Sequence, residues 1–414
     1  MKRIKKIALG VGLILIFNLM GCAKSLNTSK DVTEVIPLTT RQKVKDFEYL
    51  YKILKENYPY FEVNKRENNI DWLANKEEYV KRIKNTSNDV EFLEEISNIL
   101  EELNDSHLYI AFPSDELAEY MGYNDESTPY FKAYNNYLES NKKEYWKEHW
   151  IEMIKEKYKE QINEMNKNNI KENIETEIIE ENNIAYLKVR SFGPEHEKED
   201  KNNIYNFLYE TKDYPYLIID IRGNGGGGDP YWSNNIVSHL INYSIRTSYY
   251  IVFRGGEYEE AFVNYKAKML GLNKMDIKKL PIKENYPPEL YKDFKYYLEM
   301  PKEAYPSFNR VGFNGQIFLL VDEKVFSAAE GFARFAKDTK WATLVGRKTA
   351  GDGIGFEIIP ISLPKSGLFI YFPYAMGLNP DGTSNKEAKT EPDILIEPNE
   401  DALEKIITLI KNRK

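Results

Sequence analysis

From Arg41 the apolar residues fall three and four apart: Val44, Phe47, Leu50, Tyr51 and Leu54. That is the period of one buried helix face. Val90, Leu93, Ile96, Leu100 and Leu103 repeat it, so residues 40–104 are predicted as a small helical N-terminal domain. Over 105–183 the apolar positions thin out and Lys, Glu, Asn and Tyr dominate. Stretches such as KEYWKEHWIEMIKEKYKEQI predict a helical, charged insertion whose charges form a solvated face. From Ile184 the pattern changes again. NIAYLKVRSF, YLIIDIR, GQIFLLVD and ATLVGR are short apolar runs rich in branched residues, separated by helix-like segments. Strands buried on both faces read this way, so 184–414 is predicted as an α/β domain with a largely parallel sheet flanked by helices. Within it, 255–310 is a polar, aromatic-rich insertion read as a lid, and FEIIPISLPKSGLFIYFPYAM predicts a hairpin turning at Pro364 to Gly367.

The N-terminus follows another logic. Lys2, Arg3, Lys5 and Lys6 precede an apolar run from Ile7 to Met20, too short to span a membrane comfortably and of the kind found in signal peptides. The run ends in Leu19-Met20-Gly21-Cys22, which resembles a bacterial lipobox. The expectation is a signal peptide over 1–21, lipidation at Cys22, and a polar tether over 22–39 that holds the protein outside the cytoplasmic membrane. Cys22 is the one cysteine in the chain, which leaves no intrachain disulfide and no cysteine-rich metal site.

With 42% hydrophobic and 14% aromatic residues in 414, the chain has the means to fold around a large core. The formal charge of −8 becomes more negative once the basic leader is removed, and acidic and basic residues are interleaved. That excludes a nucleic-acid partner, because phosphate contacts need clustered Lys and Arg. The acidic residues lack metal-loop spacing and the four histidines make no zinc motif, so no cofactor is expected.

Three short stretches could carry chemistry. In VDEKVFSAAEGFARF, Ser327 follows a strand through a brief turn and opens an apolar helix. Ser-x-x-Glu reads as a capping box, with Ser327 and Glu330 satisfying backbone donors. The same position also suits a nucleophile, because the N–H of Ala328 then faces a developing oxyanion at a helix N-terminus. LIIDIRGNGGGGDP ends a strand in four glycines, which reads either as a flexible loop or as backbone that approaches a ligand closely. LNDSHLYI places His107 between a helix end and a strand start, the best placed of His107, His149, His196 and His239 for a general base.

Taken in this order, DSH, RGNGGGG, VFSAAE, LVGRKTAGDG and EPDI resemble the motifs of the serine peptidases of the C-terminal-processing and tricorn type. The resemblance covers the helical N-terminal part and 184–395. It implies a crotonase/Clp-protease-like core and attack by Ser327 on a peptide carbonyl, with an oxyanion hole from Ala328 and either Gly225 or Gly226. The branch with a Ser-Lys dyad keeps its lysine at the position of Asp352, and Lys348 lies four residues earlier, so the dyad is not expected. The tricorn-like branch pairs serine with histidine, supported by a Ser and a Glu. It therefore implies His107 as base, Ser106 as a supporting residue and Glu387 as the carboxylate. No pattern for the PDZ domain of many relatives is evident in 115–180. The expected function is a lipid-anchored serine endopeptidase acting on peptides or unfolded proteins. The alternative is a non-catalytic protein on the same scaffold that binds a hydrophobic or peptide ligand. An esterase is disfavoured because no G-x-S-x-G surrounds Ser327.

Overall fold

The computed structural model describes residues 36–412 except 114–117, 120–121, 141, 158 and 160–171. The leader, Cys22 and most of the tether lie outside the described residues.

Helices α1 (Thr40–Asn57), α2 (Phe61–Asn68), α3 (Lys76–Lys84) and α4 (Asp89–Glu101) come first. The predicted apolar faces are the buried ones: Phe47, Leu50 and Leu54 of α1 are fully covered, as are Leu93 and Ile96 of α4. After strand β1 (Tyr109–Ala111), helices α5 (Tyr130–Glu139) and α6 (Lys143–Lys157) bury Tyr134, Trp146 and Trp150. The stretch read as an exposed insertion is thus partly interior. Its aromatic residues, spaced along charged helices, are what it buries, and its last described part is strand β2 (Ile174–Glu180).

The remaining strands are β3 (Ile184–Val189), β4 (Tyr216–Asp220), β5 (Ile245–Phe253), β6 (Met275–Asp276), β7 (Tyr296–Ala304), β8 (Gln316–Val321), β9 (Thr343–Gly346), β10 (Ile359–Ser362), β11 (Phe369–Phe372), β12 (Met376–Leu378) and β13 (Ile394–Leu395). Between them run helices α7 (Pro194–Glu210), α8 (Glu257–Leu270), α9 (Ala328–Thr339), α10 (Asn385–Ala388) and α11 (Ala402–Lys411). Among the described residues the strands form three sheets. The largest has the order β13-β9-β8-β4-β3-β2 and is parallel throughout except for β2. Leu217, Ile219, Ile317 and Leu319 point to one face of it, beneath α9. Ile218, Phe318 and Leu320 point to the other face, beneath Ile406 and Ile410 of α11. Burial on both faces is why these strands read as unbroken apolar runs.

The other two sheets are antiparallel, β12-β5-β7-β6 and β1-β11-β10. The predicted hairpin is β10–β11. The segment read as a lid is instead built into a sheet, with β7 paired to β5 over nine residues from Ile245↔Ala304 to Phe253↔Tyr296. The N-terminal helices share one apolar core with these sheets: Phe47, Leu54 and Trp72 belong to the same cluster as Ile251, Phe369 and Met376.

Candidate active site

Strand β8 leads into a turn fixed by Asp322, whose carbonyl accepts the Val325 N–H and whose carboxylate accepts the Lys324 N–H. Two residues later Ser327 takes φ 54° and ψ −126°, a conformation that costs a non-glycine residue on the order of 1–3 kcal/mol. What holds it there is α9. Phe332 and Phe335 of that helix pack on Trp232 at 5.1 and 5.2 Å between ring centroids, so the helix start cannot relax. Ser327 occupies the cap position but its side chain makes no capping bond. Glu330 does not cap either. It is buried beneath the helix, where Oε1 accepts from Asn385 Nδ2 (2.8 Å) and Thr390 Oγ1 (2.7 Å). The capping-box reading is therefore incorrect, because the strained backbone of Ser327 turns its hydroxyl away from the helix.

That hydroxyl meets His107, with Oγ 3.1 Å from Nε2. The ring comes from the other end of the chain, held by local and long-range contacts. Asp105 Oδ1 accepts the His107 N–H in a turn after α4, and two residues on, β1 joins the hairpin in register Tyr109↔Tyr371, Ile110↔Ile370 and Ala111↔Phe369. The imidazole also lies over the Phe326 ring, 4.6 Å between centroids.

His107 Nδ1 is 2.9 Å from Asp352 Oδ2. Asp352 reaches this place because its segment runs beside the serine turn, with Ala350 N–H donated to Val325 O and Phe326 bridged to Gly351. Burial pushes the Asp352 carboxyl up, but the charges of Lys386 and His107 outweigh it and hold the group well below the usual carboxylate range. An ionised Asp352 only accepts, so Nδ1 carries a proton toward it, and when the ring holds no second proton Nε2 is left to accept from Ser327.

Lys386 completes the cluster. Its ammonium is 2.7 Å from Asp352 Oδ2 and 2.9 Å from Asp105 Oδ1. Tyr58 donates to Asp105 Oδ2 at 2.8 Å, and Tyr60 Oη lies 3.2 Å from Asp352 Oδ1. Burial lowers the tendency of Lys386 to hold its proton, yet the two aspartates more than restore it. Asp105, His107 and Asp352 are close enough together to ligate a metal ion. They do not fit one here, since the Lys386 ammonium already occupies the position between the carboxylates.

The glycine loop packs against the serine. A Cβ on Gly226, at φ 106°, would stand 2.8 Å from Ser327 Cβ and 2.9 Å from Ala328 N, and one on Gly227 would overlap Phe192 O at 2.2 Å. Close approach is thus the reason for Gly226 and Gly227. The Gly226 N–H is donated to Asn224 Oδ1 at 2.9 Å, which removes it as an oxyanion donor. Among the described residues neither Gly225 N–H nor Ala328 N–H has an acceptor, and Ala328 is one of the donors a helix start leaves open.

The expected supporting carboxylate fails on geometry. Glu387 points away from the site, and both its oxygens are 2.8 Å from the Arg66 guanidinium, which also binds Glu289. On a helix as short as α10, one position decides which side chain faces inward, and it is Lys386. Lys348 is exposed and paired with Glu391 at 3.0 Å. Ser106 is half-buried beside His107, and no hydrogen bond from its side chain to Ser327 or His107 is present among the described residues. His239, outside the site, is buried against Tyr205.

Residues 183–396, just over half of the chain, match peptidase family S41. The chain belongs to this family of serine peptidases. Among solved structures the chain is similar to a protein described as a peptidase from Parabacteroides merdae, with 20% identity over 90% of this chain and 97% of that one and a TM-score of 0.54. It is also similar to mature CPAF, with 11% identity over 86% of this chain and 92% of that one and a TM-score of 0.53. At such identities the likeness is one of fold. No curated protein matches the sequence. For the S41 chain in hand, the matched span contains Ser327, Asp352, Lys386 and the glycine loop, whereas His107 and Asp105 lie outside it.

Proposed function

We propose that this S41 member is a serine endopeptidase working through Ser327, His107 and Asp352, tethered outside the cytoplasmic membrane by a lipid on Cys22. The observation that carries the catalytic reading is the unbroken chain Ser327 Oγ–His107 Nε2 at 3.1 Å and His107 Nδ1–Asp352 Oδ2 at 2.9 Å. A serine hydroxyl is a weak nucleophile, and a neutral imidazole within hydrogen-bond reach supplies the base it needs. In this reading the Ser327 proton passes to His107 Nε2 as Oγ attacks the peptide carbonyl. The oxyanion that forms faces the N–H groups of Ala328 and Gly225. His107 then gives its proton to the leaving amine, and water repeats the sequence on the acyl-enzyme. Asp352 fixes the tautomer and stabilises the imidazolium. The parallel sheet is read as a crotonase-like core. The lipid anchor rests on the leader pattern and Cys22.

The test is digestion of an unstructured protein such as β-casein, with new termini identified by mass spectrometry. Internal cuts made by the wild type and absent with Ser327→Ala are expected. Binding of casein without cleavage by either protein would favour the non-catalytic alternative.

A further inference from the structure

Asp105 sits two residues before the base, Asp352 beside the nucleophile turn, and Lys386 on α10, yet one ammonium touches both carboxylates. Lys386 Nζ also lies over the Tyr60 ring at 4.8 Å. Helix α10 is itself fastened on both sides. Asn385 binds Glu330 and accepts the Gly353 N–H at 2.8 Å, while Glu387 is clamped by Arg66. Three separate segments thus converge on a largely covered cation.

We propose that Lys386 is a positioning residue of this site, whose ammonium ties the base turn to the carboxylate turn and fixes the net charge around His107. The proposal rests on the Ser327–His107 reading. The groups facing the imidazole cluster are Asp352, Asp105, Lys386 and the hydroxyls of Tyr58 and Tyr60. Two carboxylates and one ammonium leave one negative charge, which the imidazolium formed during acyl transfer cancels. Without Lys386 two negative charges would hold a proton on the cluster, so His107 would stay protonated to higher pH and be blocked as a base. Without the Asp105 charge the cluster would be neutral before reaction, and His107 would give up its proton at lower pH.

Two readouts separate this from a merely structural role. The His107 titration is followed by NMR of its ring Cε1–H in purified full-length protein, with His107→Gln providing the assignment among four histidines. The rate of Ser327 labelling by a fluorophosphonate is measured against pH in the same variants. Lys386→Met is expected to raise both midpoints by about one pH unit or more and to slow labelling about tenfold at pH below both midpoints, a one-unit change being the size a single nearby charge commonly produces. Asp105→Asn is expected to lower both midpoints, and Lys386→Arg to return them to wild type. Midpoints unmoved in Lys386→Met and Asp105→Asn, or moved in the same direction, overturn the proposal. If Lys386→Met does not fold, the downward shift in Asp105→Asn and the rescue by Arg still decide it. Absence of labelling in wild type would instead strike the Ser327–His107 reading, while the NMR shifts would judge the charge balance on their own.

Discussion

The proposed nucleophile and its proposed base come from two halves of the molecule built on different principles. Ser327 belongs to the parallel sheet, and everything that shapes it lies within a few contiguous stretches: β8, the Asp322 turn, α9 and the glycine loop. His107 belongs to the other half, where helices and antiparallel sheets share one core. Its position depends on β1 pairing with β11, some 260 residues away in sequence. The first half presents a strained hydroxyl and open backbone donors, and the second brings the proton acceptor. The Ser327–His107 contact exists only where the two halves are docked.

Removing either half of the pair should show this at once. Ser327→Ala is expected to abolish casein cleavage, and His107→Ala to lower it on the order of 10⁴-fold or more. The double variant should be no worse than Ser327→Ala, since groups acting as a unit lose their effect together. A double variant distinctly below both in steady-state kinetics would contradict the pairing. Asp352→Asn leaves the shape but lets the imidazole adopt the wrong tautomer, and kcat is expected to fall about 10²–10⁴-fold with KM little changed.

A subtler probe reaches beneath the nucleophile. Burial outweighs the hydrogen bonds of Thr349, Thr390 and Asn385 and leaves the Glu330 carboxyl pushed up to about 7. With its folded pKa above the unfolded one, the native state binds the extra proton between roughly pH 4.5 and 7. Stability from this group is therefore full at low pH and lost as pH rises through 7. The sheet and α9 should melt lower at pH 8 than at pH 5, and Glu330→Gln should flatten that slope by on the order of 2 kcal/mol in denaturant titrations. An unchanged slope would mean that Glu330 does not carry the effect. At the small end, Lys348→Ala should change cleavage less than about twofold, because an exposed pair contributes little.

The same contrast explains what could be read from the sequence. The parallel sheet was legible because burial on both faces leaves unbroken apolar runs, and Ser327 because strand, turn and helix are adjacent in the chain. The N-terminal helix faces were legible from their period. By contrast, 255–310 looked like a lid because β7, Tyr296–Ala304, mixes polar and apolar residues as a strand with one wet face does. Its nine-residue pairing with β5 is a long-range fact. The supporting carboxylate was misplaced for a related reason. In the sequence Asp352 stands out only as a position without lysine, and its approach to His107 joins residues 245 apart. Nothing in the sequence singles out Lys386, although it neighbours Glu387. Which of two adjacent side chains faces inward on α10 is decided by Arg66 and Glu289 on one side and the two aspartates on the other. No local pattern encodes that choice.

The proposed activation of Ser327 by His107 and Asp352 reaches across the two halves. Its most direct measurement is the second-order rate of fluorophosphonate adduct formation at Ser327, followed by intact-protein mass spectrometry in wild type, His107→Ala, Asp352→Asn and Glu387→Gln. Rapid labelling of wild type, labelling of Glu387→Gln within a few fold of it, loss in His107→Ala and strong slowing in Asp352→Asn are expected. Labelling of Asp352→Asn at the wild-type rate, with Glu387→Gln inactive, would contradict that activation.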